Sequence, residues 1–243
     1  FSAAAMCLIV GNMDGDLKLF EFTNESPGLP WRQNREYLKD IKLSGYSHGV
    51  IAPWMGSGLL ITGESSGKIK AFITGAGDSN TPWKEVKDFF RGVRIHYHSS
   101  PAIFDIDGDG AWELITGADD GRIYAYRIRT VENGLPVWEE IKGLFGNVLV
   151  QGFSTPSLVR YQNALYLFTG QENGDIRIFE ADLPLENGTR YDHKSLVFNE
   201  KHFPNNLKMQ SHSSPSVMLN GEMIEVVSGD YDGNLRHFLC GGS

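Results

Sequence analysis

An all-β fold built from repeated antiparallel units is predicted for this chain by three observations. A glycine, three residues and a second glycine recur five times, at Gly11 and Gly15, Gly63 and Gly67, Gly117 and Gly121, Gly170 and Gly174, and Gly229 and Gly233. A short aliphatic run precedes each first glycine, and a second apolar segment follows each second one. Successive first glycines are separated by 52, 54, 53 and 59 residues, a period that signals stacked copies of one structural unit.

Each unit reads as four strands. The innermost is carried by "HSSPAIFDI", "FSTPSLVRY" and "HSSPSVMLN", with "SHGVIAPWM" as a looser copy; a Ser/Thr-Pro entry leads into an apolar run. The second is the β-branched and aliphatic run before the first glycine. The dipeptides Asp14-Gly15, Ser66-Gly67, Asp120-Gly121, Asn173-Gly174 and Asp232-Gly233 then supply the positive φ that a tight hairpin requires. In the third strand an aliphatic (Leu17, Ile69, Ile123, Ile176, Leu235) and, three positions on, an aromatic (Phe20, Phe72, Tyr126, Phe179, Phe238) point to opposite faces. A sheet that is apolar on both faces is covered on both, as the blades of a β-propeller are. A fourth, outer strand follows from "LPWRQNREYLKDI", "TPWKEVKDFF" and "LPVWEEIKGLF", where an edge position tolerates the N–H that proline lacks.

The expectation is one domain, residues 1–243, a β-propeller of about five four-stranded blades with approximate repeats 1–44, 45–92, 93–148, 149–208 and 209–243. The ends fall about two strands short of a full period, namely the innermost strand of the first repeat and the outermost of the last. A five-bladed ring that closes imperfectly is preferred over an omitted stretch or an arc of a larger propeller.

One blade carries an insertion. "DIDGDGAWE" joins the first and second strands of the third repeat and is two residues longer than its counterparts in the fourth and fifth. Its carboxylates stand at loop positions 1, 3, 5 and 9, which are Asp105, Asp107, Asp109 and Glu113, with the carbonyl of Ala111 available from position 7. Gly108 and Gly110 permit the curl that turns alternate side chains inward. Hard oxygens at this density suit Ca²⁺, which takes six to eight of them in irregular geometry, whereas a softer metal would call for Cys or His. A solvated Asp-Gly turn and a general acid–base pair are the competing readings, and neither accounts for the full spacing.

The stretch "SSPAIFDIDGDGAWELITGADDGRIYAYR" resembles the FG-GAP or VCBS repeat, the blade of integrin α-chain propellers, of fungal lectins of that architecture and of many secreted bacterial proteins. The resemblance implies one structural Ca²⁺ held by side chains of Asp105, Asp107, Asp109 and Glu113 and by the Ala111 carbonyl. It also implies an extracellular or periplasmic location, where millimolar calcium fills a modest site. The other repeats depart from the motif, with Cys7, Leu59 and Tyr166 at the Glu113 position, and with Glu225 but no aspartates in the fifth.

A formal charge of −8 and the absence of a Lys/Arg cluster argue against nucleic acid as a partner. No apolar run reaches membrane-spanning length. "FSAAAMCLIVG" has no basic start and reads as the beginning of a processed or excised domain. Cys7 and Cys240 are expected as two buried thiols, with a bridge between them as the alternative. His48, His96, His98 and His212, with Phe153 in the fourth copy, precede the innermost strands and are expected at one rim of the central channel. They form either a metal or ligand site or, as the simpler reading, hydrogen-bonded turns. Trp31, Trp83 and Trp138 read as packing between blades, with sugar stacking as the alternative. Asn24 and Asn187 begin N-glycosylation sequons.

The preferred function is a non-catalytic, calcium-binding module for protein or matrix interaction, whose partner is a protein or glycan bound on a propeller rim. A lectin is the alternative. A propeller-type polysaccharide lyase or glycosidase is the second alternative.

Overall fold

The computed structural model describes residues 7–22, 31–74, 83–183, 196–202 and 207–240. The sequons at Asn24 and Asn187 lie outside them. Eighteen strands follow one another with no helix among the described residues, and none is therefore long and apolar enough to cross a membrane.

Five antiparallel sheets form a five-bladed β-propeller. The first holds β1 (Cys7–Gly11), β2 (Leu17–Phe22) and β3 (Trp31–Asn34). The second holds β4 (His48–Trp54), β5 (Ser57–Gly63), β6 (Ile69–Ile73) and β7 (Lys84–Glu85). The third holds β8 (Ser100–Phe104), β9 (Glu113–Gly117), β10 (Ile123–Glu132) and β11 (Leu135–Glu140). The fourth holds β12 (Thr155–Tyr161), β13 (Ala164–Gly170), β14 (Ile176–Asp182) and β15 (Asn199–Lys201), and the fifth β16 (Ser214–Asn220), β17 (Met223–Gly229) and β18 (Leu235–Cys240). Each sheet is ordered as its strands occur in the chain. The first and last blades have three described strands each, and the two lacking are the ones the repeat arithmetic anticipates.

The double-sided apolar pattern has a direct explanation. In β13, Leu165 and Leu167 join the cluster shared with the third blade, alongside Ile115 and Phe198. Tyr166 and Phe168, between them, face the fifth blade with Ile178 and Val226. Alternate residues of one strand therefore serve the two flanking interfaces. Similar clusters join the second and third blades (Ile61, Phe89, Leu114) and the first and second (Leu19, Leu60, Phe72).

A serine clasp recurs at all four interfaces. Ser47, Ser99, Ser154 and Ser213 stand just ahead of β4, β8, β12 and β16. Their hydroxyls donate to Asp16, Lys68, Arg122 and Asp175 carbonyls of the preceding blade at 2.6–2.9 Å. The same oxygens accept from the N–H groups of Asn12, Glu64, Ala118 and Gln171 at 2.9–3.1 Å. The blades approach so closely that a Cβ on Gly11, Gly63, Gly117 or Gly170 would sit 1.6–2.0 Å from the serine carbonyl oxygen. These first glycines are needed for that approach, and the second glycines for positive φ (85° at Gly15, 79° at Gly121). Removing one hydroxyl strands two buried backbone groups, so Ser154→Ala is expected to cost about 1–3 kcal/mol. A lowered urea midpoint with unchanged slope would show it, and an unchanged midpoint would refute the clasp.

Cys7 is half-buried and Cys240 buried, both as free thiols. Burial pushes both thiols up from their usual range. The reduced pair is the expected one.

Candidate functional site

Two rims of the propeller carry the polar chemistry, at opposite ends of the innermost strands. Five residues of β8 separate them, roughly 17 Å at the strand rise per residue.

At the first rim a ring of aromatic and imidazole side chains lies over the starts of the inner strands. Tyr46, His98, Phe153 and His212 each precede a clasp serine, and all four adopt positive φ, 46°, 51°, 47° and 43°. Such φ is uncommon for bulky residues. It is held here because their N–H groups donate to the Met13, Ser65, Asp119 and Glu172 carbonyls of the preceding blade, at 2.8–3.3 Å. Fixed this way, the rings meet edge to face in series. Tyr46 and His98 are 4.8 Å apart, His98 and Phe153 4.7 Å, Phe153 and His212 5.0 Å. Tyr231 extends the arc from His212 at 5.3 Å.

This corrects the reading of the histidines. His98 and His212, with Phe153, occupy equivalent positions, but the second-blade equivalent is Tyr46. His48 lies two residues further on, at the start of β4. His96 sits outside the arc, where its Nδ1 contacts Asp119 Oδ1 at 3.0 Å. The Nδ1 atoms of His98 and His212 are buried without a hydrogen-bond partner among the described residues, and the bond each makes to the preceding blade is through its backbone N–H. The serine that follows, not the histidine, is the residue common to the four copies. Around the arc stand Tyr97, 52% exposed, and Tyr231, 48% exposed, with the carboxylates of Asp119 and Glu172. Asp119 also accepts the Tyr97 N–H at 3.2 Å. Sequence reasoning passed over Tyr46, Tyr97, Asp119, Glu172 and Tyr231. The signal for the carboxylates was their shared place two residues after the first glycine of their repeats.

His48 carries a pH dependence. Burial, reinforced by the nearby His98, lowers its pKa from 6.5 to about 4. The unfolded chain takes up the proton as pH falls through about 6.5, but the folded chain does so only near 4. Stability is therefore full above pH 6.5 and declines below it, by on the order of 3 kcal/mol at about 1.4 kcal/mol per pKa unit. His48→Gln is expected to remove this part of the slope in urea titrations between pH 7 and 4.5, and parallel slopes would rule it out.

At the second rim the inserted loop links β8 to β9. Asp105 and Asp107 with Asp109 bring one carboxylate oxygen each within 4.8 Å of one another. The loop backbone organises them. Asp105 accepts the Gly108 and Gly110 N–H groups at 2.8 and 3.0 Å, Asp107 that of Asp109 at 3.1 Å, and Asp109 that of Ala111 at 2.8 Å. Asp107 is 1% and Glu113 3% exposed. Glu113 accepts the Ile106 N–H at 2.7 Å. Burial chiefly, with the charges of Asp107, Asp109 and Asp105, pushes its carboxyl up to about 8. A cation among these groups reverses that balance. Oxygens bound to one Ca²⁺ at 2.3–2.6 Å lie at most about 5.2 Å apart, so the aspartate cluster fits that ion. Neighbouring blades brace the loop through Trp112 Nε1, which donates to the Pro53 carbonyl at 3.2 Å, and Arg160, which donates to the Asp105 carbonyl at 3.2 Å.

Trp138 and Trp83 pack between blades as expected, whereas Trp31 packs within its own. Trp138 stacks on Phe90 at 5.3 Å and donates to the Phe89 carbonyl at 2.7 Å. Trp83 meets Tyr37 at 5.4 Å, and Trp31 meets Phe22 at 5.4 Å.

No protein-family model and no curated protein sequence matches this chain. Solved structures do. A thermostable family-43 glycoside hydrolase superposes with a TM-score of 0.56 at 15% identity, covering 100% of this chain and 90% of that one. A family-43 β-xylosidase/α-arabinofuranosidase from a compost microbial metagenome, in complex with xylotriose, gives 0.52 at 12%, covering 97% and 90%. The SapL1 lectin, in complex with α-methyl fucoside, gives 0.50 at 8%, covering 94% and 73%. At these identities the likeness establishes the fold, a five-bladed β-propeller. The expected role as a non-catalytic module for protein or matrix interaction is corrected by these findings. The three solved propellers just described are two glycoside hydrolases and a lectin, and the two with ligands hold carbohydrate.

Proposed function

We propose that this propeller acts on carbohydrate, holding a glycan at the ringed rim. The observation that carries the reading is the arc Tyr46–His98–Phe153–His212–Tyr231 with carboxylates at its edge. A sugar ring offers an apolar C–H face that packs on aromatic side chains and hydroxyls that pair with carboxylates. An apolar floor with a few convergent polar groups is the usual make-up of a small-ligand site. Glycoside hydrolysis needs two carboxylates, one donating and one accepting a proton or attacking. Asp119 and Glu172, one blade apart, are the pair on this rim, with His96 beside Asp119. Xylo-oligosaccharides and fucosides head the substrate panel, because solved neighbours hold xylotriose and a fucoside.

The test pairs a glycan array with an aryl-glycoside panel. Binding is expected to fall at least tenfold in His212→Ala. In Asp119→Asn and Glu172→Gln turnover is expected to vanish while binding persists. A chain that neither binds nor cleaves any glycan on both panels sinks the reading.

Calcium at Asp105, Asp107, Asp109 and Glu113, with the Ala111 carbonyl, belongs to the same proposal. When bound, the ion would tie the loop together and stiffen the rim opposite the rings. Assignment to the FG-GAP/VCBS repeats, and an extracellular or periplasmic location, rest on this one loop.

A further inference from the structure

The ringed rim is also where the chain concentrates its charge. Tyr46, His98, Phe153 and His212 are each anchored by a hairpin turn of the preceding blade, at residues 12–16, 64–68, 118–122 and 171–175, and a fifth such turn, 230–234, carries Tyr231. These turns hold nine carboxylates against one lysine and one arginine, a balance of −7 in a chain whose formal charge is −8. The rest of the molecule is therefore close to neutral. Four of the nine are offset within the protein: Asp16 by Lys42, Glu64 by Lys70 at 2.9 Å, Asp175 by Lys208 at 2.7 Å and Asp120 by Arg122 at 4.0 Å. Asp14, Glu172, Asp230 and Asp232 have no Lys or Arg partner among the described residues, and the ionic partner of Asp119 is the imidazole of His96.

These five carboxylates stand beside the rings. The Met13, Asp119 and Glu172 carbonyls take the Tyr46, Phe153 and His212 N–H groups, and Asp230 and Asp232 flank Tyr231. Glu172 Oε2 lies where a Cβ on Gly152, the neighbour of Phe153, would meet it at 3.1 Å. Burial lowers the pKa of His98, so near neutral pH that imidazole offers the rim an aromatic face and no cation. An ammonium group is attracted to the face of an aromatic ring, and Tyr97 and Tyr231, each about half exposed, supply open faces. A rim of one sign also draws in the opposite charge and repels its own. Building on the reading that this rim holds a glycan, we propose that the glycan is basic: an amino sugar with free ammonium groups, such as a glucosamine oligomer. Its C–H face packs on the arc, while its ammonium groups lie over the tyrosine faces and pair with the carboxylates that lack a Lys or Arg. Uronate and sulfated glycans are turned away by the same field.

The test compares the glucosamine hexamer with the N-acetylglucosamine hexamer, which share a backbone and differ in ammonium against acetamide, by isothermal titration at about pH 6, where amines carry a proton. The glucosamine hexamer is expected to bind at least about tenfold tighter at low salt, a preference that roughly 0.5 M salt screens away. Asp14→Asn combined with Asp232→Asn should cut the preference at least about threefold and leave xylohexaose binding unchanged. Both changes reproduce the Asn-Gly turn that the fourth blade has at Asn173-Gly174, so the melting temperature should hold. Equal binding of the two hexamers overturns the inference, and the glycan reading stands without it if xylohexaose binds. A hexalysine peptide that binds as tightly as the glucosamine hexamer also overturns it, since charge alone would then explain the preference. Absence of binding by every sugar hexamer, neutral or charged, removes the glycan reading itself and this inference with it.

Discussion

Calcium added to metal-stripped protein is expected to raise the melting temperature by about 5–10 °C, and Asp107→Asn to abolish the shift. An ion at one hundred times its dissociation constant stabilises the folded state by about 2.7 kcal/mol. At this chain length each kcal/mol moves the midpoint by about 2–4 °C. Asp107 is the decisive position because it is 1% exposed and its oxygen lies within the aspartate cluster. Asparagine keeps an oxygen for the Asp109 N–H but removes the charge and exchanges the other oxygen for an NH₂ group, which cannot bind a cation. Magnesium should substitute poorly, since it demands octahedral geometry and sheds water reluctantly. Identical melting in chelator and in excess calcium would remove the ion from the account.

Gly117→Ala is expected to destabilise the propeller by about 3 kcal/mol, the upper range for overpacking, lowering the melting temperature by about 6–12 °C. The added Cβ would fall 1.7 Å from the Ser154 carbonyl oxygen. That atom is backbone, anchored by the Ser154 Oγ bonds to Ala118 and Arg122 at 2.9 and 2.6 Å. No rotamer change relieves the clash, so the third and fourth blades must separate along an interface that buries Ile115, Leu165 and Leu167. A melting temperature within 1–2 °C of the parent, by the scale just given, would show that the blades are not held at this distance.

Most of the architecture was legible because it is written in short-range chemistry repeated five times. Asp-Gly and Asn-Gly turns declare their hairpins, and doubly apolar strands such as β13 declare burial on both faces. The serine clasp was visible only as a Ser/Thr-Pro entry. Its partners lie 31 to 38 residues away in the preceding blade, beyond any local pattern. The rim arc was misjudged for the same reason. Histidine drew the eye as a chemical residue, but the geometry is set by positive φ and interblade N–H bonds, which Tyr46 and Phe153 satisfy as well as His98 and His212 do.

By itself the sequence determined a propeller of five blades, its two short ends and the calcium-type spacing of Asp105, Asp107, Asp109 and Glu113. Each of these depends on residues close in the chain, where turn chemistry and strand alternation act directly. Only the tertiary structure decided which side chains share a rim, that Asp119 and Glu172 flank the rings, and that Leu235 is exposed while Leu17, Ile123 and Ile176 are buried. Those facts follow from how blades meet around an axis, and contacts between blades are made by residues the chain keeps far apart.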